Sequence, residues 1–448
     1  MRLLPGCDLV IRAVTSMNTR ARLLVVLVLA VAIRLAAVLA IDNPQQVPRT
    51  PAESDASTYY ILADHLLDGT GYRYAADLAP TAKRTPGYPL FIASAFKVFG
   101  RNFNAVRLIQ CVLDVATAYL VFALAVLILG SAGVGLLAAL GYALYLPAVQ
   151  SATYIMTETT YTFSLVLAVV IAVLAARMRS YLLYAVSGIA FGISVLIRPG
   201  VVLLPFVLLV VGVLASLGRH SGLDRGIGRV LGEPRRRGFE RVPLLEFVIL
   251  CLAFAITILP WAARNQRALG RFIPTSTLVG ANLYKGNHIA TQGAYFWSTD
   301  SLLTADLRAR MSGAPEAEQD RILQAAATRM ILADKKATAL LIMKKIPRLW
   351  LNLGYGRSPS KKSLALAAAH MLLLVLGAFA LFGLPADARV LGVIPLTTVL
   401  FSTIMYLAVA AEVRFAFPLI PLVLPYSALG LVNLGARLRS ARPAELGD

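Results

Sequence analysis

The sequence predicts an all-α polytopic membrane protein with about ten transmembrane helices and two extracytoplasmic loops carrying interfacial helices. Three observations carry that prediction. Of its 448 residues, 58% are hydrophobic and only 15% charged, and its mean hydropathy is +0.72. Apolar runs of about 17–25 residues, the length a helix needs to cross a bilayer core, recur along the chain. Lys and Arg are shared unequally between the two sets of connecting loops.

The runs fall at about 23–41, 104–129, 133–149, 159–176, 181–197, 201–218, 244–262, 364–384, 390–411 and 415–435. These ten crossings bring both termini to one side. That side carries 17 Lys and Arg, in the N-terminal tail, at 177–179, in the loop 218–243, at Arg389 and at the C-terminal end; the short loops opposite carry 8. The richer side is expected to be cytoplasmic, so loops 42–103 and 263–363 face outward. The first run lacks a small-x-small cleavage pattern and contains Arg34, which reads as a retained helix rather than a signal peptide. The chain divides into an N-terminal module (1–262), a long outer loop (263–363) and C-terminal helices with a tail (364–448).

The net charge of +20 would point to nucleic acid in a soluble protein. Here the basic residues flank membrane helices and face anionic lipid, so membrane lipid is the expected partner and nucleic acid is not. Cys7, Cys111 and Cys251 are far apart and the four histidines are scattered. Neither pattern gives a disulfide framework or a zinc site.

The first loop is a polar island between apolar helices. Residues 55–68 read as a surface helix with Tyr59, Leu62 and Leu66 on one face and Asp64 and Asp68 on another, stopped by Gly69. Thr85-Pro86-Gly87-Tyr88-Pro89 reads as a rigid turn, and the run 90–99 is too short to span. In the long loop, 271–297 reads as irregular, with no compact-domain pattern. Pro315 opens a helical stretch, and Pro347 is expected to break the amphipathic segment 338–351, with Trp350 at headgroup level.

Candidate functional residues cluster on the outer side. Asp55 reads either as a helix N-cap with Ser54 or as a general base at the membrane surface. Glu158, at the outer mouth of its helix, is either a first-turn acid or a second carboxylate that orients an acceptor or holds a metal. Lys83 and Arg84 would steady a phosphate leaving group or bind lipid headgroups. Arg198, Arg264 and Arg414 emerge on the same side as further phosphate contacts, Arg414 also being placed to pair with Glu412. Tyr59, Tyr88, Asn282, Lys285 and Asn287 are candidate substrate contacts. Arg34, Arg107 and Asp114 lie within helices, where pairing between helices is the default.

With these residues in order, the chain resembles bacterial membrane glycosyltransferases of the GT-C class, related to protein O-mannosyltransferases and lipid A aminoarabinose transferases (family 39/83 type). The resemblance rests on Asp55, Tyr59 and Ala63 in D-x-x-x-Y-x-x-x-A, then G-T-G-Y (69–72) and R-T-P-G-Y-P-L-F (84–91). It continues in T-E-T-x-Y (157–161), R-P-G (198–200), P-W-x-x-R-N (260–265), L-G-R-F-I-P (269–274), L-Y-K-G-N (283–287) and E-V-R-F-x-F-P-x-I-P (412–421). It implies transfer of a sugar from a polyprenyl-phosphate donor to a hydroxyl of a glycan, lipid or protein, outside the bacterial cytoplasmic membrane and with inversion. Asp55 would be the base. The acidic pair often found in the family is not adjacent here, since Ala56 follows Asp55, and Glu158 takes the second acid's place. No cofactor is certain, though a divalent cation is possible.

Two other readings stand beside it. A polymerase or ligase would use a lipid-diphosphate oligosaccharide. A secondary transporter would show paired broken helices and related halves, and the sequence shows neither. On the expected topology, a reporter fused at Ser221 reads cytoplasmic and one at Gly313 extracytoplasmic; the reverse pattern overturns it.

Overall fold

The computed structural model describes residues 17–42, 45, 53–220, 244–292, 299–353 and 360–440. The tail before Met17 with Cys7, Arg49, positions 221–243 of the basic loop, and residues 441–448 with Arg442 lie outside them. Among the described residues there are helices and no strands.

The first membrane helix, α1 (Met17–Leu39), is followed by the first loop, which folds as α2 (Glu53–Leu67) and α3 (Gly87–Phe99). Next come α4 (Phe103–Leu129), α5 (Ala132–Ala143), α6 (Leu146–Thr153), α7 (Glu158–Met178), α8 (Tyr181–Ile197), α9 (Leu204–His220) and α10 (Leu244–Leu269). The long loop carries α11 (Val279–Asn287), α12 (Ala305–Met311), α13 (Glu316–Ala333) and α14 (Lys335–Leu351). The chain ends with α15 (Lys361–Leu381), α16 (Ala386–Ala408), the short α17 (Val413–Ala416) and α18 (Ile420–Ser440).

Seven helices among the described residues are long and apolar enough to span: α1, α4, α7, α10, α15, the Ala388–Ala408 part of α16, and Val413–Ser440, which joins α17 to α18. The expected crossing at 133–149 is the pair α5–α6, bent by 52°. The two at 181–197 and 201–218 are shorter apolar helices. Seventeen residues of helix α8 rise only about 25 Å, short of a hydrocarbon core of about 30 Å. The ten apolar elements are therefore present, but seven or eight of them reach full spanning length.

Local chemistry sets the ends. Asn102 caps α4 by accepting from the Asn104 and Ala105 amides, and Gly130, at φ +67°, ends it. At the α5–α6 bend, Pro147 starts a new helix and leaves carbonyls at the end of α5 without helical partners. Buried Arg34 meets that need, donating to the Ala143 carbonyl at 2.7 Å and pairing with Asp114 at 2.6 Å. Tyr142 donates to the other Asp114 oxygen at 2.5 Å. This is the helix-to-helix pairing expected of intramembrane charge. Arg107 instead donates to the Thr153 carbonyl at 2.9 Å.

Helices α8 and α10 approach closely because α8 carries Gly188-x-x-x-Gly192. A Cβ on Gly188 would lie 2.2 Å from the Leu250 carbonyl oxygen, and one on Gly192 would lie 2.5 Å from Thr257. Without a hydrophobic drive between helices in lipid, such small residues let backbones pack.

The long loop differs from expectation. Residues 279–287 are helical rather than irregular. Tyr284, Leu302, Leu307, Ile322, Leu323 and Ala327 form a small core of their own. Pro347 lies inside α14 rather than breaking it, and Trp350 is buried. A helical pattern masked by Gly and Asn explains the first difference, and packing of α14 against the following α15, whose His370 bonds the Trp350 carbonyl, explains the burial of Trp350.

Gly188→Val is expected to cost about 1–3 kcal/mol through overpacking. Thermal unfolding in detergent checks this; an unchanged melting temperature would contradict the close α8–α10 contact.

Candidate active site

The turn Arg84-Thr85-Pro86-Gly87 is fixed against the end of α8. The Thr85 hydroxyl donates to the Ile197 carbonyl at 3.1 Å, and Tyr72 donates to the carbonyls of Arg84 and Thr85 at 3.0 and 3.1 Å. Only glycine fits at 87, because a Cβ there would lie 2.7 Å from the Leu196 carbonyl oxygen. Pro199 in turn forces Arg198 out of helical conformation, to φ −148° and ψ 121°, and ends α8 there.

These constraints bring two acids and several cations to one cavity of about 250 Å³. Asp55 lies inside the first turn of α2, which starts at Glu53, so it is not the N-cap. One of its oxygens accepts from Arg84 and the other from Arg414 at 3.5 Å. Arg84 also lies over the Tyr59 ring, 5.1 Å from its centre. Burial pushes the Asp55 carboxyl up, but the charges of Arg84, Arg414 and Arg198 outweigh it and hold the group below its ordinary value.

Glu158 is the first residue of α7, a position the helix dipole favours for an acid. Its Oε1 accepts from Arg198 at 3.4 Å and lies 3.9 Å from Arg414. Arg414 also pairs with Glu412 at 2.5 Å, as the sequence suggested. Arg198 stacks over Phe415 at 4.6 Å.

Asp55, Tyr59, Lys83, Arg84, Glu158, Arg198, Asn282 and Arg414 all line this cavity, with Lys83 exposed. Lys285 is not on the lining but feels Asp55 and Glu412, while burial pushes its amine down to about 8. Three expected contacts are committed elsewhere. Arg264 donates to the Thr81 and Tyr72 carbonyls at 2.7 and 3.1 Å, tying the first loop to α10. Tyr88 donates to Gln110 at 2.7 Å. Asn287 donates to the Ala408 carbonyl at 2.9 Å and accepts from Lys345 at 3.0 Å.

Sequence reasoning missed Tyr406, which lines the cavity, and Glu316. The latter accepts from the Thr81 hydroxyl at 2.7 Å, the Ala82 amide at 2.8 Å and the Thr277 hydroxyl at 2.5 Å, binding the two outer loops together. The only signal for Glu316 was its place after the helix-opening Pro315.

Residues 83–226 match the sequence model of the family described as dolichyl-phosphate-mannose-protein mannosyltransferase. The matched segment is 144 of the 448 residues, and over it the chain is similar to that family. The match takes in Lys83, Arg84, Glu158 and Arg198, whereas Asp55 and Arg414 lie beyond it. No curated protein matches the chain by sequence. Among solved structures, it is similar to the archaeal oligosaccharyltransferase AglB from Archaeoglobus fulgidus in complex with an inhibitory peptide and a dolichol-phosphate. Identity is 15% and the TM-score 0.48, over 96% of this chain and 53% of that one. The Archaeoglobus fulgidus oligosaccharyltransferase in complex with Zn and sulfate gives 13% and 0.44, over 93% and 50%. ArnT from Cupriavidus metallidurans bound to undecaprenyl phosphate gives 15% and 0.39, over 94% and 80%. The chain thus spans about half the length of the oligosaccharyltransferase.

Asp55 and Glu158 are both engaged by guanidinium groups, and among the described residues no three His, Cys, Asp or Glu side chains are grouped as ligands.

Removing Arg414 in Arg414→Met leaves Asp55 with burial less opposed, which raises its folded-state pKa. The variant should lose about 3 kcal/mol at pH 7. Wild-type Asp55, with a lowered pKa, contributes stability above its unfolded value that is lost only as pH falls through the folded one. The gap between the two proteins should therefore narrow as pH falls towards about 4. Melting temperatures across pH check this; a gap that does not change with pH would contradict it.

Proposed function

We propose that the chain transfers a sugar from a polyprenyl-phosphate donor to an acceptor hydroxyl on the extracytoplasmic face of the membrane, with inversion. The observation that carries this reading is the cavity itself. It gathers Lys83, Arg84, Arg198 and Arg414 against only two acids, in a chain whose 83–226 segment matches a family that is described by a lipid-phosphate sugar. Even with Glu412 paired to Arg414, four cations against three carboxylates leave a surplus that suits an anionic phosphate. Nucleotide sugars are cytoplasmic, so an outward site calls for a lipid-borne donor.

In this mechanism the donor phosphate settles among Lys83, Arg84 and Arg414. The acceptor oxygen attacks the anomeric carbon from the face opposite the phosphate. The carbon–oxygen bond to phosphate breaks, its electron pair leaves with the polyprenyl phosphate, and the cations stabilise the growing charge. Asp55 takes the acceptor's proton. Its carboxylate is masked by Arg84 and Arg414, which makes it a weak base. An arriving phosphate competes for those same guanidinium groups and so frees the carboxylate as the reaction requires. Glu158 holds Arg198 and Arg414 in register. Both termini lie in the cytoplasm of a bacterial cell on this reading, and the acceptor is a glycan, lipid or protein.

Asp55→Asn should lower transfer from a polyprenyl-phosphate sugar by roughly 10²–10⁴-fold with the protein still inserted; retained turnover would remove Asp55 as base. Lys83→Gln should raise the donor KM roughly tenfold. An unchanged KM with poorer membrane insertion would mean that Lys83 serves lipid headgroups instead.

A further inference from the structure

The cavity has two chemically different ends. Around its exposed rim, Lys83, Arg84 and Arg414 face Asp55, a net positive set. Deeper in, Arg198 and Glu158 pair and cancel. At that neutral end Glu158 Oε2 makes no hydrogen bond, and the Tyr406 hydroxyl has the Tyr161 hydroxyl beside it but no partner in good hydrogen-bond geometry. Glu158 and Tyr406 both line the cavity, and they are only 6% and 7% exposed. Buried polar atoms without partners are rare, and leaving one unmet costs about 1–3 kcal/mol. Arg198 adds to the imbalance, since its one hydrogen bond to another side chain among the described residues is the 3.4 Å contact with Glu158. The Tyr406 hydroxyl is not crowded out of the space by chance. It sits against Gly200, where a Cβ would come within 3.1 Å of it.

We propose that Glu158 Oε2, the Tyr406 hydroxyl and the guanidinium of Arg198 form a subsite that binds hydroxyl groups of the donor sugar, with Tyr406 as a specificity-determining residue. The assignment rests on the sugar-transfer reading above and deepens it. A carboxylate oxygen accepts from a sugar hydroxyl, a guanidinium donates to one, and a tyrosine hydroxyl does either. A phosphate is disfavoured here because Glu158 offsets Arg198, so the phosphate stays at the positive rim and the sugar ring points inward. A site built to bond a hydroxyl rejects an analogue without it, since its own groups are then left unpaired.

The test is Tyr406→Phe, which removes one oxygen and keeps the ring. Short-chain polyprenyl-phosphate hexoses and pentoses are screened with the wild-type protein in liposomes. The best donor is then compared with its set of monodeoxy analogues. The expected result is a roughly tenfold fall in kcat/KM for the parent donor, with one deoxy analogue turned over equally by both proteins. Without donor, the variant should melt close to the wild-type temperature, because the lost hydroxyl makes no hydrogen bond of good geometry within the protein. A variant that matches wild type on every donor, or loses activity equally on the parent and all analogues, overturns the assignment. So does a fall in ligand-free melting temperature that accounts for the activity loss. If the wild-type protein transfers sugar from none of these donors, the sugar-transfer reading itself fails and takes this subsite with it.

Discussion

One guanidinium, that of Arg414, ties the site together. From α17, near the end of the chain, it reaches Asp55 on α2 and Glu158 at the start of α7, and it pairs with its own neighbour Glu412. Acids brought this close in a largely buried place repel one another and lose hydration, so neither position is tenable without shared cations. Arg84 and Arg198 share the load, one on each acid. The network fixes three elements that are distant in sequence, and it leaves both cavity acids occupied by guanidinium groups.

The rest of the fold serves to hold those side chains where they are. Close packing of α8 on α10 sets the height of Arg198, and the glycine turn at 87 locks Arg84 to the same helix end. Arg264 and Glu316 bind the first loop to α10 and to the long loop. On the far wall, fully buried Lys345 donates to the carbonyls of Leu407 and Val409 at 2.9 and 3.2 Å. It thereby closes the end of α16, which carries Tyr406. Burial pushes the Lys345 amine down to about 7.

The spanning helices were legible because hydropathy and length are local properties of a sequence. The site was partly legible for a similar reason: Asp55, Arg84, Arg198 and Arg414 sit at helix ends marked by Pro and Gly, which betray loops on one side. What the sequence concealed were choices between partners. Arg264 looked like one more outer cation, yet the carbonyls of Tyr72 and Thr81 claim it. Asn287 is claimed by Lys345 across 58 residues, a pairing that leaves no local trace. Tyr406 reads as an ordinary aromatic in an apolar helix, and only its place on the wall of the folded cavity distinguishes it.

The most direct measurement of this account is an experimental structure of the protein in a lipid nanodisc with a short-chain polyprenyl phosphate bound. The account requires the phosphate to lie among Lys83, Arg84 and Arg414, with Arg84 moved from Asp55 onto the phosphate and the carboxylate facing the open cavity. A phosphate seated elsewhere, with the Asp55–Arg84 pair intact, would contradict it.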